Sequence, residues 1–554
     1  MAEIYTCQDD ILRSTLALFF EQADSDVKPE DVAAPLLELY NKNIDAYNLG
    51  PENPDSEPSD DFKLRFPYQK KADARLKHKS SLSGWQIANC MIHFQNVIRV
   101  CWLEEGDTVN STLALYQNDG VNRGIYDISS SAINELIYRY NPSIAWAELS
   151  NCLNFLNSSA PAKMRNQDPD LIAVDNGVFD YKTKTLFDFD HDYVFTVKSH
   201  VAYVEGAENP VITMPDGEEW DVESWVDDLT SDEQVRELLW QAIGASIRPN
   251  VAWNKAHLWY NVVGNNGKGT LCQLIRNLCG KGSYTSISIK EFGKDFMLRP
   301  LMYVSAVITD ENDTGTFLTS GEAFKSAITH DVLHVNIKMK EPVDIRFNGL
   351  IIECVNEMPK FQDKSQSMYR RLLPIPFDKR FEGRERKYIK TDYIYRKEVL
   401  EYVLWKVLNT NYYEFTIPDV SEQLLGQIKE SNDPIRQFLD ETLDRLTWTF
   451  IPTSYLYLFY KGWFEKNVPS GKIVSRDSFT KDVKQLIDDE YTDWQSTNSP
   501  VFVGDKLDSP ELLLYEYGVK ELQDPSYHGN DVNRLCTLSV DKKQKFRGFA
   551  KKVS

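Results

Sequence analysis

The sequence predicts a multidomain α/β fold, and three observations carry that reading. The chain has 554 residues, which at about 150 residues per domain makes roughly three to four domains. Its composition, 42% hydrophobic and 26% charged, lets it bury a core along most of its length. At its centre a strand-like apolar run (residues 258–263), a glycine loop (264–270) and a helical pattern of Leu271, Leu274, Ile275 and Leu278 follow one another directly.

The same numbers exclude several classes. A disordered, collagenous or disulfide-stapled miniature chain would have another composition. The longest apolar runs, 258–263 and 350–355, fall far short of the ~20 residues that a membrane span needs, so a soluble chain with no membrane partner is expected. Residues 1–10 are polar and acidic, without the basic stretch and apolar core of a secretory signal, so export is not expected. The eight cysteines, at 7, 90, 101, 152, 272, 279, 354 and 536, include no Cys-x-x-Cys pair, which predicts buried free thiols and no zinc. A net charge of −21 argues against a surface that coats nucleic acid, but not against lysines held inside a channel.

In chain order, residues 50–61 (GPENPDSEPSDD) read as a linker that sets off an acidic helical arm, so 1–61 form the first unit. Lys63, Arg65, Lys70, Lys71, Arg75, Lys77 and Lys79 then interleave with Phe62, Phe66 and Tyr68. Such a stretch suits a phosphate backbone, and equally a solvated helix face beside an acidic neighbour. Alternating segments at 97–103, 171–174 and 194–203 and a helical one at 231–245 make 62–245 an α+β N-terminal domain. Asp188, Asp190 and Asp192 would share one face of a strand and could hold metals; without further partners they read as solvated carboxylates leading into a turn.

The run Gly264, Asn265, Asn266, Gly267, Lys268, Gly269, Thr270 lies between strand and helix, the context in which backbone N–H groups and a helix amino terminus cradle phosphate. A lysine at its end reaches the β and γ phosphates and a hydroxyl reaches Mg²⁺, so the implied cofactors are ATP and Mg²⁺. The loop departs twice from G-x-x-x-x-G-K-[ST]. Val262 replaces the first glycine, and Gly269 stands at the hydroxyl position, leaving Thr270 one place late as the expected metal ligand. A strand at 303–308 ends in Asp310 and Glu311, suited to holding Mg²⁺ and polarising the attacking water. A third strand, 350–355, ends in Asn356, which can orient that water. Three parallel strands delivering these groups to their carboxyl ends is how an open α/β sheet binds a ligand. Alternation over 333–340, followed by Glu341 and Pro342, predicts a hairpin carrying Lys338 and Lys340 at its tip. His330 and His334 have helical ligand spacing, but on a strand with no third ligand they do not predict a metal site.

The order Lys268, Asp310 and Glu311, Asn356, Arg370 and Arg371 resembles the superfamily 3 helicases, most closely the phage, plasmid and poxvirus primase-helicase type, over residues 110–490. Residues 175–180 (DNGVFD) and the region to Ile247 resemble the domain that precedes the ATPase in that type, and 369–377 (YRRLLPIPF) resembles its arginine-finger segment. The resemblance implies an AAA+-like core across 246–385 in a homo-oligomeric ring, usually a hexamer. ATP is then held between subunits, Arg371 is the expected finger with Arg370 second, and the hairpin lysines, with Lys325, track single-stranded DNA in the channel. It also implies an ATP-dependent replicative helicase of a mobile element, acting on single-stranded and forked DNA in the cytoplasm of a bacterial host. An origin-binding initiator on double-stranded DNA is the alternative. A fused primase is not expected.

Beyond Phe381, segments 395–408 and 421–429 read as a helical lid (386–435). Two further helices, one opening after Pro452 and one capped by Ser475 and bearing Arg476, Lys481 and Lys484, resemble a winged helix-turn-helix across 436–500. The final unit, 501–554, ends in a basic tail of Lys542, Lys543, Lys545, Arg547, Lys551 and Lys552 interleaved with Phe546 and Phe549, either a non-specific DNA contact or a disordered solubilising end.

Overall fold

Apolar residues recur at helical spacing in both amino-terminal segments, and each becomes a helix, Cys7–Gln22 and Pro29–Leu49. The computed structural model describes residues 7–24, 27–49, 76–262, 264–310, 312, 321–338, 341–357, 359, 366–381, 386–431, 433–468, 473–491, 493–523, 526–538 and 543–552. The expected linker at 50–61, the basic residues 62–75, Glu311, Lys340 and Lys542 lie outside the described residues. The arm does not stand apart. Leu16, Phe19, Val32 and Leu36 share a core with Ile87, Met91, Ile133 and Ile137, and Glu30 pairs with Arg139 at 2.6 Å. Burying an amphipathic face on its neighbours is how so polar a helix pair gains stability.

Strands β1 (Val97–Cys101), β2 (Ser111–Tyr116), β3 (Tyr126–Asp127) and β4 (Ala162–Met164) form a sheet in the order β3-β2-β1-β4, in which only β1 and β4 run parallel. Then β5 (Leu171–Val174), β6 (Gly177–Asp180) and β7 (Thr185–Phe187) make an antiparallel meander. β7 stops at Phe187, so Asp188, Asp190 and Asp192 lie on no strand, and Asp192 pairs with Lys163 at 2.8 Å. Residues 194–203, expected as a strand, form none. Their backbone divides its hydrogen bonds among Tyr126, Asn166, Ala173 and Asp175, so alternation reflects a buried strap between elements rather than one ladder. The short pair β8 (Ile212–Thr213) and β9 (Glu219–Trp220) leads to the helix Glu233–Ala245, capped by Asp232.

The central strands are β10 (Ala256–Tyr260), β11 (Tyr284–Thr285), β12 (Ala306–Thr309), β13 (Val332–Val335), β14 (Val343–Arg346), β15 (Leu350–Val355) and β16 (Leu372–Pro376). Five of them form an all-parallel sheet in the order β11-β12-β15-β10-β16. Every residue of β15 is buried, as expected for a parallel strand covered on both faces. One face packs on Leu271, Leu274, Ile275 and Leu278 of the helix Lys268–Cys279 and, beyond it, on the helix Lys397–Asn409. The other packs on β1 and on the expected hairpin, which is β13 and β14. In the hairpin His334 pairs with Asp344, while His330 turns away to the Phe347 carbonyl, so the two rings share no site.

The helices Asp419–Ser431 and Pro434–Thr442 lead into the carboxyl-terminal part. There β17 (Phe450–Pro452) precedes the helices Thr453–Asn467 and Arg476–Asp489, the second capped by the Ser475 side chain, and β18 (Trp494–Ser496) follows. Further on come β19 (Val501–Phe502), β20 (Lys545–Phe546) and β21 (Gly548–Lys551). The last of these pairs with both β17 and β18, giving the order β17-β21-β18. The basic tail is therefore strand over 545–546 and 548–551, which replaces the disordered end of the two alternatives. Its alternating cations sit at the rim while Phe549 is buried, and the sheet crosses the boundary expected at residue 500.

Candidate nucleotide site

Parallel pairing sets β10, β12 and β15 in register, with Tyr260 opposite Val355 and Thr309 opposite Glu353, so the chain leaves all three strands at the same edge. Residues 261–267 follow β10 there, and the helix begins at Lys268. Gly267, at φ +85°, is the helix N-cap, and a Cβ placed on it would stand 2.4 Å from Leu229. Only glycine meets both conditions cheaply. The Asn265 carbonyl accepts the backbone N–H of Phe381, and Asn266 Oδ1 accepts that of Lys268, holding the loop from both sides.

Lys268 is 7% exposed and donates at 3.3 Å to the Val355 carbonyl and at 3.4 Å to Asn356 Oδ1. Two of the expected groups thus meet, although they are 88 residues apart in the chain. Burial holds the Lys268 ammonium below the usual lysine range, so an incoming anion would restore its full charge. Asp310, just beyond β12, pairs with Arg276 of the same helix at 2.8 Å, and Arg276 also donates to the Ile308 carbonyl. The carboxylate remains about half exposed. Thr270 sits in the first turn, where its backbone N–H bonds the Gly267 carbonyl. The donor set fits a nucleotide with Mg²⁺: a buried ammonium on two long hydrogen bonds, a left-handed glycine before a helix start, and a half-exposed carboxylate beside it.

Other residues join this site that sequence reasoning did not pick out. The Lys390 ammonium lies 3.6 Å from where a Gly269 Cβ would stand, bringing a second cation to the helix start. Asn312, next but one to Asp310, donates to Glu353 Oε2 at 2.8 Å and to the Cys354 carbonyl at 3.1 Å. Glu353 is fully buried, and that burial raises its carboxyl well above the usual range. An acidic residue inside an apolar strand is the one signal that could have flagged it.

The arginines lie elsewhere. Leu372 pairs with Ala256, so Arg370 and Arg371 sit where β10 begins, about 13 Å or more from the edge carrying Lys268 at ~3.3 Å per residue. Arg371 folds back onto Ser367, while Arg370 is exposed. Lys338 is exposed beyond β13, and Lys325 is half-buried on the helix Glu322–Ile328. On Arg476–Asp489 the residues Phe479, Val483 and Ile487 are buried, and Arg476, Lys481 and Lys484 are exposed.

Three family models match the chain. One is a family of unknown function over residues 261–371, one is D5 N terminal like over 134–231, and one is Poxvirus D5 protein-like over 430–517. No curated protein matches. Among solved structures, the apo A form of the NrS-1 C-terminal region is similar at 13% identity and a TM-score of 0.39, covering 73% of this chain and 86% of that one. Another apo A-form structure of that region, residues 305–718, has 13% identity and a TM-score of 0.40, covering 85% of this chain and 100% of that one. Among the described residues no helix is long and apolar enough to cross a membrane. D5-type family models thus match segments on both sides of the central parallel sheet, and in those segments the chain is similar to D5-like proteins.

Proposed function

We propose that the protein is an ATP-dependent DNA helicase of the superfamily 3, AAA+-like kind, working as a homo-oligomeric ring in replication of a mobile element. The observation that carries this is the meeting of Lys268 with Val355 and Asn356 at the carboxyl edge of a parallel sheet. In this reading Lys268 and the loop N–H groups bind the β and γ phosphates, and Lys390 adds charge at the helix start. Asp310 and Thr270 would hold Mg²⁺, which neutralises phosphate charge when bound. Glu311 polarises the attacking water, and Asn356 orients it. An arginine at the start of β16 lies at the far edge of its own sheet and reaches a neighbour's nucleotide rather than its own. Exposure favours Arg370 over Arg371, reversing the order expected from sequence. Lys338 and Lys325 would line the DNA path, with Lys340 assigned the same role from the sequence alone.

The order β17-β21-β18 around two helices favours a second activity, double-stranded origin binding by Arg476, Lys481 and Lys484 on a winged-helix-like module. Unwinding of a forked duplex by the purified chain beside Lys268→Ala tests the main reading. Strand separation that vanishes in the variant supports the motor. ATP hydrolysis without separation, at concentrations where rings form, overturns it in favour of an initiator.

A further inference from the structure

Beneath the phosphate loop lies a cluster that no motif spacing announces. Cys272 is one turn beyond Lys268 on the same helix, and Cys354 lies two residues before Asn356, at the carboxyl-terminal end of β15. Their side chains are buried, and their sulfurs stand 3.5 Å apart. A carboxylate oxygen of Asp310 completes the group, all three donor atoms lying within 4.8 Å of one another. Around a tetrahedral ion with metal–sulfur bonds of about 2.3 Å and metal–oxygen bonds of about 2.0 Å, donor atoms stand roughly 3.3–3.8 Å apart. The cluster is therefore within small side-chain movements of a coordination shell.

We propose that Cys272, Cys354 and Asp310 form a site for one thiophilic divalent cation of the zinc class, and that filling it withdraws Asp310 from nucleotide chemistry. Two thiols and a carboxylate select a soft or borderline ion over Mg²⁺. On binding, each thiol releases its proton to solvent and two metal–sulfur bonds form, with no change of oxidation state. Two thiolates and one carboxylate against a divalent ion leave one negative charge, and the guanidinium of Arg276, 2.8 Å from Asp310, balances it. The half-exposed carboxylate gives the ion its way in from the cleft, and water can fill the fourth position. An occupied site ties the phosphate-loop helix to β15 and fixes the carboxylate expected to meet Mg²⁺. Binding stands on geometry alone; its effect on hydrolysis rests on the nucleotide reading.

Titration of the reduced 554-residue chain with Co²⁺ tests binding without reference to activity. One equivalent should produce a thiolate-to-cobalt charge-transfer band that Zn²⁺ chases away. Cys272→Ser and Cys354→Ala should each weaken binding at least tenfold, with far-ultraviolet circular dichroism confirming the fold. Zn²⁺ should inhibit Mg²⁺-dependent ATP hydrolysis by wild type at concentrations that leave the Cys354→Ala rate unchanged relative to its own zinc-free value. A folded wild type without the band, or a band retained in both variants, overturns the site, as does a Cys272–Cys354 disulfide persisting in reducing buffer. A cobalt band in a chain that hydrolyses no ATP at all would uphold the site while removing the nucleotide reading.

Discussion

Gly267 and Glu353 concentrate the site's constraints in single residues. At Gly267 a Cβ meets a left-handed φ and the Leu229 side chain together, whereas Gly264 has nothing within 4 Å of its Cβ position and no positive φ. Gly267→Ala should therefore cost about 1–2 kcal/mol of strain, and Gly264→Ala less than about 0.5 kcal/mol, compared by thermal unfolding. Equal losses would deny the strained turn. Glu353 gives a prediction in pH. Burial lifts its carboxyl well above the usual 4.5, so the folded chain holds that proton more tightly than the unfolded chain does. The stabilisation is complete below pH 4.5 and is lost as pH rises toward the folded value. Glu353→Gln has no such proton and keeps an oxygen for Asn312. The stability of wild type minus that of Glu353→Gln should accordingly fall with rising pH above 4.5, read from denaturant midpoints. A difference flat across pH would mean that Glu353 is ionised in the fold. Lys268, Asp310 and Asn356 could be singled out in the sequence because Asp310 and Asn356 follow strand-like runs and Lys268 lies in the glycine loop that follows another. Lys390, Arg276 and Asn312 were not, because only tertiary packing brings them to those tips.

Periodicity also worked unevenly among the elements. It located β15 residue for residue and the helices Lys397–Asn409 and Arg476–Asp489 nearly so, because in each a burial pattern and a hydrogen-bond pattern coincide. It failed at 194–203, where alternating burial serves several partners, and in the tail, where charge concealed a strand whose own partners lie 53 to 100 residues away. The helix Arg476–Asp489 carries a prediction of its own. Phe479, Val483 and Ile487 hold it to the core, so Lys481 and Lys484 can change without loss of packing. If the helix lies against DNA phosphates, Lys481→Ala and Lys484→Ala should each weaken binding to every duplex sequence alike. Each should also lower the slope of log affinity against log salt by about one. Unchanged slopes would assign those lysines to solvent, and loss confined to one sequence would make them base contacts.

Across the whole molecule, the two ends of the parallel strands hold different halves of the proposed reaction. Lys268, Asp310 and Asn356 gather where the strands end, and Arg370 and Arg371 lie where β16 begins, so in the proposed ring each chain would offer its arginine away from its own nucleotide site. A site completed by a neighbour must complement between variants that fail alone. A ring of Lys268→Ala subunits has arginines but cannot grip phosphate; a ring of Arg370→Ala subunits grips it without an arginine. Mixed in equal amounts under subunit exchange, about one interface in four pairs an intact Lys268 with a neighbour's intact Arg370, since each is present in half of the subunits at random. ATP hydrolysis by the mixture should then rise from near zero toward roughly a quarter of the wild-type rate, provided that each interface hydrolyses independently. A mixture as inactive as its parents, with exchange verified by labelled subunits, would place the arginine's role within its own chain or outside the reaction. The same mixing with Arg371→Ala decides between the two arginines. Rescue in that pair, with Arg370→Ala already active alone, would return the role to the residue that here folds onto Ser367.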